Sequence, residues 1–571
     1  IPVKPRRHER GLEVHLQDPK GMLSLEDVAL VSVEQMAYGL RGDLIRVLTP
    51  STAQTILAQF EQIGAGGVLN AVNRQNRHEY YVAPDYIMNA KNGDLVEAQV
   101  KEEGRQRYTG RIVKVYGSLL DKTISPSQIA IHQYNLPFEF SQKALEIAEK
   151  ATGPVLGKRE DLRQIPLVTI DDEDARDFDD AIYATADTNP ANTGGWRLIV
   201  AIADVAAYVT PGSALDEEAY LRGNSVYLPD RVLPMLPETL SNGLCSLRPD
   251  EERACLAVHM TISKTGKLLR HHFVRGLMKS SARLTYKKVQ AAMDGTPDIF
   301  ENTFINDVIK PLYGAYQSLL KWREYRGTLE LDLPEKKIVM DADNNVSGVV
   351  TRERLDSHKL IEEFMVLANV AAATTLDDAK ILCMFRIHDQ PTPEKVLALH
   401  DFLKPMGINF ATGQAMTPKL FNGVLTKVKS SVHEYAINEL VLRSQAQAVY
   451  SPDNIGHFGL GLARYAHFTS PIRRYADVLV HRALLVAMKI ESSDHFLYTL
   501  ENFQEIANHI SQTERVAAKA ERETVERFIS TYLAQDLGKP FEGRITGVSE
   551  FGMFVTLKES SATGVLFFRD L

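Results

Sequence analysis

The segment from Asp171 to Asp180 concentrates residue types that can do chemistry. It reads DDEDARDFDD, and its seven carboxylates and one arginine give this segment a net charge of −6, out of −8 for all 571 residues. Carboxylates this close repel one another, raise one another's pKa and destabilise a fold unless a cation neutralises them. Mg²⁺ prefers oxygen ligands, and two such ions about 4 Å apart can activate water and stabilise the leaving oxygen of a phosphodiester. The segment therefore predicts a site for one or two Mg²⁺ ions.

Two other interpretations of the acidic segment are a calcium loop and a plain acidic surface loop. An EF-hand loop needs Gly at its sixth position and Glu at its twelfth, whereas counting from Asp171 gives Arg176 and Ile182. The apolar runs VTI before the segment and AIYA after it place the carboxylates at the edge of a core. These runs favour the metal site but leave the surface loop open as an alternative.

A second group of candidate residues lies in HFTSPIRRY. Ser470 is a good N-cap and is followed by proline, so a helix is expected to begin there. Its N-terminus would offer N–H groups to an anion, and Arg473 and Arg474 add guanidinium forks that suit phosphate oxygens. One of the two arginines is expected to pair instead with a core carboxylate such as Glu362 or Glu363.

Histidines and aromatic residues supply further candidates. His467 and His481 could act in catalysis, but hydrogen-bonded histidines that fill a packed core are more frequent. Tyr227, Tyr286 and Phe468 could stack on nucleic-acid bases, although each alone is more often a core residue.

The elements that must position these residues form three blocks. Residues 54–116 contain short alternating strands with Gly, Asn and Pro between them, which is typical of a small barrel. From about residue 165 to 533, strands come first and helices follow, including a long charged amphipathic helix over 499–533. Residues 538–571 hold about three strands, whereas an OB-type barrel needs five, so an incomplete barrel is expected there.

The end of the first block is basic. The residues from Lys101 to Lys114 combine an aromatic ring with positive charge, and those that could contact RNA are Arg105, Arg107, Tyr108 and Arg111. Such a pattern suits a groove for single-stranded nucleic acid. A solvated strand face explains it equally well.

Composition excludes several classes of protein. With 44% hydrophobic and 24% charged residues, the chain has the composition of an ordinary globular protein with several domains. No stretch approaches the about 18 consecutive apolar residues of a membrane helix, and the N-terminus lacks the apolar segment of a signal peptide. Three scattered cysteines exclude a disulfide framework and a zinc cluster and favour the cytoplasm. The absence of an initial Met predicts that the numbered chain is a fragment.

Four long motifs together resemble the ribonuclease II/ribonuclease R family. They are TIDDEDARDFDDAIYA, VYLPDRVLPMLPETLSNGLCSL, IEEFMVLAN and GHFGLGLARYAHFTSPIRRYADVLVHRAL, and they stand in this order within about residues 165–530. ARDFDD and HFTSPIRRY look more like ribonuclease R than ribonuclease II.

The resemblance implies a multidomain α+β protein. Its expected parts are a divergent or truncated first cold-shock-like OB barrel (1–53), a second cold-shock-like OB barrel (54–118), a linker with a helix (119–164), a mixed α/β ribonuclease II-type catalytic domain (165–535) and a partial C-terminal OB-type RNA-binding domain (536–571).

The resemblance also implies a function. The chain would be a processive 3′→5′ exoribonuclease, a cytoplasmic monomer that threads single-stranded RNA between the OB barrels into the central domain and releases nucleoside 5′-monophosphates with Mg²⁺. Carried over by motif, the metal ligands would be Asp171, Asp177, Asp179 and Asp180. Asp177 and Asp179 would also be catalytic, and Arg473 would neutralise phosphate charge in the transition state.

The RNA-binding residues implied by the resemblance are Tyr227, Tyr286 and Glu521. The patterns of basic and aromatic residues add Arg474 from HFTSPIRRY and Arg105, Arg107, Tyr108 and Arg111 from the barrel. Asp172 stands where the family pattern has glycine. A non-catalytic RNA-binding protein or chaperone and a DNA nuclease are the rival functions. The presence of all four aspartates and the arginine argues against the first.

Overall fold

The computed structural model describes part of the chain. The described residues are 2–3, 14–17, 28–36, 39–49, 54–73, 76, 78–102, 108–118, 125–333, 335–341, 346–413, 415–492, 496, 498–560 and 562–570. The chain divides into two compact units, Ile1–Leu136 and Pro137–Leu571.

The first unit begins with a four-stranded sheet. Its strands are β1 (Pro2–Val3), β2 (Val14–Gln17), β3 (Val28–Met36) and β4 (Gly39–Thr49). They lie in the order β1-β2-β4-β3, with β2 and β4 parallel and the other pairs antiparallel. Much of the predicted first barrel at 1–53 lies outside the described residues, and its assignment as a barrel stays a prediction.

A closed five-stranded barrel follows in the same unit. Its strands are β5 (Gln54–Ile63), β6 (Gly66–Ala71), β7 (Glu79–Val82), β8 (Asp94–Glu102) and β9 (Tyr108–Ser118), and α1 (Pro126–Gln133) comes after them. They close in the order β5-β6-β7-β9-β8. Alternate residues point inward, so that Phe60, Leu69 and Val82 are fully buried. A Cβ at Gly67 would lie 2.2 Å from the Phe60 ring, and the barrel therefore needs glycine there.

The second unit contains the remaining strands. They are β10 (Glu160–Asp161), β11 (Val168–Asp171), β12 (Asp180–Ala186), β13 (Trp196–Ala203), β14 (Val226–Leu228), β15 (Arg231–Leu233), β16 (Glu252–Ile262), β17 (Leu268–Lys279), β18 (Ala282–Thr285), β19 (Lys336–Met340), β20 (Val346–Thr351), β21 (Phe385–Ile387), β22 (Val449–Ser451), β23 (Gly543–Val548), β24 (Gly552–Leu557) and β25 (Thr563–Phe567).

The helices of this unit lie mostly in its later half. They are α2 (Gln142–Lys150), α3 (Ala214–Arg222), α4 (Tyr286–Met293), α5 (Asn302–Phe304), α6 (Lys310–Arg326), α7 (Asp356–Asp378), α8 (Pro393–Leu403), α9 (Pro418–Val428), α10 (Glu434–Ser444), α11 (Tyr475–Ala487) and α12 (Leu500–Leu533). Thr499 caps α12 by accepting the N–H of Asn502, and the long helix predicted over 499–533 is confirmed.

A seven-stranded sheet forms the centre of the second unit. Its order is β10-β17-β16-β13-β12-β11-β18, and β16 and β17 form a hairpin around the turn KTGK. Gly266 in that turn has a φ of +80°, a conformation that glycine adopts without a steric cost. One core extends from this sheet to α7, where Leu360, Phe364 and Ala371 are fully buried.

The C-terminal residues form the three predicted strands, which pair as the antiparallel sheet β23-β24-β25. Among the residues that the structure describes, no helix is long and apolar enough to cross a membrane.

Candidate active site

The acidic segment joins two neighbouring strands of the central sheet. Asp171 is the last residue of β11 and Asp180 the first residue of β12, and these strands run antiparallel beside each other. The strands belong to the core, with Ile170 and Ile182 buried on them. The pairing therefore brings the two ends of the acidic segment to one edge of the sheet, where strand β11 ends and strand β12 begins. We call this edge the acidic edge.

The carboxylates at this edge interact unfavourably with one another. Desolvation and the charges of Asp180 and Asp177 raise the pKa of Asp171, while Arg283 opposes this effect. Desolvation and the charge of Asp179 likewise raise the pKa of Asp180, and Arg473 acts against this rise. Burial and neighbouring carboxylates therefore both disfavour negative charge on Asp171 and Asp180, and Arg283 and Arg473 offset this only in part.

Asp179 connects the acidic segment to the arginine motif. The residue is 5% exposed, and its carboxylate accepts the backbone N–H of Ile472 at 2.9 Å. Arg473 Nε lies 3.8 Å from Asp179 Oδ2. Desolvation raises the pKa of Asp179, whereas the Arg473 charge and the Ile472 N–H lower it. The sequence motifs around positions 179 and 473 thus meet at one carboxylate.

The start of the arginine helix differs from the prediction. Helix α11 begins at Tyr475, not at Ser470. Arg474 N–H donates to the Ser470 carbonyl at 3.0 Å, but the helix does not continue from this turn, because Tyr475 N–H donates to the Gly223 carbonyl at 2.9 Å and not to that of Pro471. Ser470 N–H donates to Asp477 Oδ1 at 2.7 Å, and Ile472 N–H goes to Asp179. The prediction of Ser470 as the helix N-cap is wrong.

The two arginines have different surroundings. Arg473 has a side chain that is 42% exposed, and its Nη2 donates to Ser470 Oγ at 3.0 Å. Arg474 instead gives both arms of its fork to the fully buried carboxylate of Asp477, from Nε and Nη2 at 2.8 Å each. This placement contradicts the prediction that Arg474 binds RNA, because its fork is already occupied inside the protein.

One arginine does pair with a core carboxylate, as expected, but the partner is not Glu362 or Glu363. Those two carboxylates bind Arg323, and Glu363 also binds Arg326.

Tyr227 lies between the acidic segment and helix α12. Its hydroxyl donates to Asp177 Oδ2 at 3.0 Å, and its backbone N–H donates to Glu521 Oε1 at 2.7 Å. The residue is 40% exposed, so part of it can be reached by a substrate. Desolvation raises the pKa of Glu521, while Tyr227 N–H and Arg473 act to lower it. Tyr227, Glu521 and Asp177, which were predicted separately, thus form one connected group.

Tyr286 is the first residue of α4 and lies beside the same carboxylates. Desolvation and the charges of Asp180 and Asp171 raise the pKa of its hydroxyl. Its ring stacks on His358 with centroids 4.1 Å apart. The structure thus brings Tyr286 to the acidic edge.

Asp172 and Asp174 contact cations that sequence reasoning missed. Asp172 pairs with Arg352 at 2.8 Å and Asp174 with Lys337 at 3.3 Å. Arg283 donates to the backbone carbonyls of Asp172 and Glu173. Lys337 lies on β19 and Arg352 follows β20, so the hairpin made by these strands neutralises the outer carboxylates of the segment. Nothing in the sequence near residues 171–180 signals these partners.

His467, His481 and Phe468 fill the core behind the site. His467 Nδ1 lies 2.9 Å from the Tyr450 hydroxyl, and burial lowers the pKa of His467. His481 Nε2 is 2.7 Å from the carbonyl oxygen of Phe468, and burial lowers its pKa as well. Phe468 is fully buried, so the suggestion that it stacks on bases is wrong.

The candidate RNA-binding residues of the barrel are described in part. Tyr108 stacks on His78 with centroids 3.9 Å apart and meets Tyr80 edge to face. Arg111 is half-buried on β9. Arg105 and Arg107 lie outside the described residues.

The donors at the acidic edge suit a hard cation by their chemistry. They are carboxylate oxygens, and burial together with the charges of neighbouring aspartates raises the pKa values of Asp171 and Asp180, a cost that a divalent cation would reduce. Within the described ranges, no group of three or more His, Cys, Asp or Glu side chains is arranged to hold a metal ion. The donor types fit Mg²⁺, and binding would require these carboxylates to draw together.

The chain is similar to known proteins over most of its length. Residues 159–489 match the RNB domain, and residues 69–141 match the cold shock domain. The chain is 35% identical over 598 residues to ribonuclease R of Escherichia coli (strain K12), a match that covers 98% of this chain and 73% of that protein. The chain belongs to the ribonuclease II/ribonuclease R family of exoribonucleases. Ribonuclease R of Thermotoga maritima is 36% identical over 574 residues, covering 98% of this chain and 80% of that protein.

Solved structures of this family share the fold. Mycoplasma genitalium RNase R in complex with ribose-methylated single-stranded RNA matches with a TM-score of 0.82 and 25% identity, over 98% of this chain and 89% of that one. Yeast Ssd1, a pseudonuclease, matches with a TM-score of 0.70 and 19% identity, over 94% of this chain and 68% of that one, which shows the fold alone. The predicted family and fold class are confirmed, whereas the exact domain boundaries and the roles of individual residues stay predictions.

Proposed function

We propose that this exoribonuclease degrades single-stranded RNA processively from the 3′ end and releases nucleoside 5′-monophosphates with the aid of Mg²⁺. The observation that carries the proposal is the meeting of Asp179 with Ile472 N–H and Arg473 beside the mutually repelling Asp171 and Asp180. Crowded carboxylates suit a divalent cation, and such a cation together with Arg473 could bind the anionic phosphodiester.

The residues at the acidic edge would have different roles in hydrolysis. Arg473 is exposed enough to meet a substrate phosphate, and its guanidinium would neutralise the charge that develops on the phosphoryl oxygens. Asp177, held by the Tyr227 hydroxyl, and Asp179, held by Ile472 N–H, would orient the attacking water. Tyr227 and Tyr286 offer rings to the bases, and Glu521 fixes the backbone of Tyr227.

The metal would be held by Asp171, Asp177, Asp179 and Asp180. The chemistry that Mg²⁺ supplies when bound in such a site is Lewis-acid polarisation of phosphoryl oxygens and activation of water. Asp172 and Asp174 are not included among these ligands, since Arg352 and Lys337 already neutralise them.

Single-stranded RNA as the substrate is supported by the similar Mycoplasma genitalium protein, whose structure contains single-stranded RNA. The aromatic stack of Tyr108 on His78 in the barrel suits bases that are not paired. We further propose a cytoplasmic monomer. The three cysteines, Cys245, Cys255 and Cys383, are buried and free, as expected in a reducing compartment.

The proposal is tested with 5′-labelled RNA and DNA of the same sequence, each incubated with Mg²⁺ or with EDTA. We expect a ladder that shortens from the 3′ end on RNA with Mg²⁺, and intact DNA. RNA that is bound but remains intact would instead show a non-catalytic RNA-binding protein. This is the alternative function, and the pseudonuclease Ssd1 is a protein of similar fold. Cleavage of DNA at a similar rate would contradict the RNA assignment.

A further inference from the structure

The arginine turn, residues 470–474, carries two groups that reach Asp179. These are the backbone N–H of Ile472, at 2.9 Å, and the guanidinium of Arg473, at 3.8 Å. The turn is not part of helix α11, which begins at Tyr475. The N–H groups of Arg473 and Arg474 donate to the Ser470 carbonyl at 3.3 and 3.0 Å and form a single turn, and side-chain contacts connect the ends of this turn to α11.

Asp477 supplies these contacts at both ends of the turn. The carboxylate accepts Ser470 N–H at 2.7 Å at the first residue and both arms of the Arg474 fork at 2.8 Å at the last residue. Its side chain is 0% exposed. Hydrogen bonds between charged groups in such surroundings are strong and directional, so Asp477 fixes the two residues that bracket Ile472 and Arg473.

The opposite side of the turn is attached to the segment that leads to Tyr227. Ser225 N–H donates to the carbonyl of Arg473 at 3.0 Å, and Tyr475 N–H donates to that of Gly223 at 2.9 Å. A displacement of the turn would therefore change the contacts of Asp179. It would also move the strand whose Tyr227 hydroxyl donates to Asp177.

We propose that Asp477 is a positioning residue for phosphodiester hydrolysis, acting through the arginine turn on Arg473 and Asp179. It lies behind the turn and acts through Ser470 and Arg474. The inference rests on the proposed function. A residue that only stabilises the first turn of α11 through the helix dipole would lower stability without changing turnover by the folded enzyme.

The first test compares kcat and KM of the wild type and Asp477→Asn on 5′-labelled single-stranded RNA, with a melting curve for each protein. Asparagine keeps one acceptor oxygen but presents an amide N–H₂ to the Arg474 fork. The asparagine therefore cannot accept Ser470 N–H and both arms of the fork as Asp477 does. We expect kcat to fall at least about tenfold while KM changes less than about twofold. Asp204→Asn is the matched control, because Asp204 is equally buried and its carboxylate is likewise paired with arginine, in this case Arg159 and Arg275. It should lower the melting temperature and leave kcat unchanged.

A double-mutant cycle with Arg473→Lys shows whether Asp477 acts through Arg473. If it does, Asp477→Asn in the Arg473→Lys background costs less than about twofold further in kcat, because coupled residues are not additive. Should Asp477→Asn not fold, Arg474→Lys replaces it, since lysine keeps a charge beside Asp477 but loses the fork. This variant should also lower kcat at constant KM.

Three results would overturn the inference. They are wild-type kcat in folded Asp477→Asn, additive losses in the cycle, and an Arg474→Lys variant that raises KM alone. A wild-type enzyme that cleaves no RNA in the same assay would overturn the proposed function instead, so the two failures are distinguishable.

Discussion

Replacing Asp179 by asparagine separates a catalytic from a structural role of the acidic segment. Asparagine retains an oxygen that can accept Ile472 N–H, so the 2.9 Å hydrogen bond survives, while one buried negative charge is removed. Because desolvation raises the pKa of Asp179, the ionised carboxylate destabilises the protein near neutral pH. Each pKa unit of such a rise corresponds to about 1.4 kcal/mol. We therefore expect the melting temperature to stay the same or to increase.

Hydrolysis should respond in the opposite way. Loss of a carboxylate that orients water and helps to hold the cation is expected to lower turnover about 1,000-fold or more, or about 4 kcal/mol of transition-state stabilisation. RNA affinity should stay equal or increase, since the phosphate meets less negative charge. Single-turnover cleavage, RNA binding and thermal melting are measured on one preparation. Asp174→Asn is the control, because it removes a charge from the same segment at a site paired with Lys337. A folded Asp179→Asn enzyme that degrades RNA at a near wild-type rate would refute the reasoning.

Three further predictions follow from the same contacts. Arg473→Lys keeps a charge but loses the planar fork. Turnover should fall at least tenfold, which is about 1.4 kcal/mol of transition-state stabilisation, with a smaller effect on RNA affinity. Equal losses in turnover and affinity would show that Arg473 only binds substrate. Deleting residues 1–118 should weaken RNA binding and flatten its salt dependence without abolishing hydrolysis, as measured by binding at several salt concentrations; a folded truncation that no longer cleaves would contradict this. Burial acts to raise the pKa of Asp204, but Arg275 and Arg159 lower it overall. The ion pairs of Asp204 therefore stabilise the folded protein above the pKa of an unfolded aspartate, about 3.9. This stabilisation is lost as the pH falls through the lower pKa of the folded state. Asp204→Asn should therefore lower the free energy of unfolding near pH 7 by about 3 kcal/mol and weaken its acid dependence, and unchanged urea unfolding would contradict the pairing.

The sequence predicted those parts of the site that depend on local patterns. Crowded aspartates between apolar strands indicated the acidic edge, and the resemblance assigned a catalytic role to Arg473 and RNA binding to Tyr227 and Glu521. The contacts among them join positions up to 294 residues apart, such as Tyr227 and Glu521, and no spacing in the chain encodes such distances.

Errors arose where tertiary contacts override a local preference. Ser470 followed by proline is a good helix start, yet the helix begins at Tyr475 because Tyr475 N–H donates to the distant carbonyl of Gly223 and not to that of Pro471. Arg474 looks like its neighbour in sequence, but its fork points to Asp477.

The Mg²⁺ dependence of RNA hydrolysis by the wild type and by Asp171→Asn tests the central claim most directly. Asp172→Asn is the control, because Asp172 is the adjacent residue and pairs with Arg352. If the acidic edge holds the cation, the Mg²⁺ concentration for half-maximal hydrolysis should rise at least about tenfold in Asp171→Asn, because a ligand is lost, and stay within about twofold of the wild type in Asp172→Asn. Hydrolysis by the wild type in EDTA, or the same Mg²⁺ dependence in Asp171→Asn as in the wild type, would contradict a cation-dependent active site at this edge of the sheet.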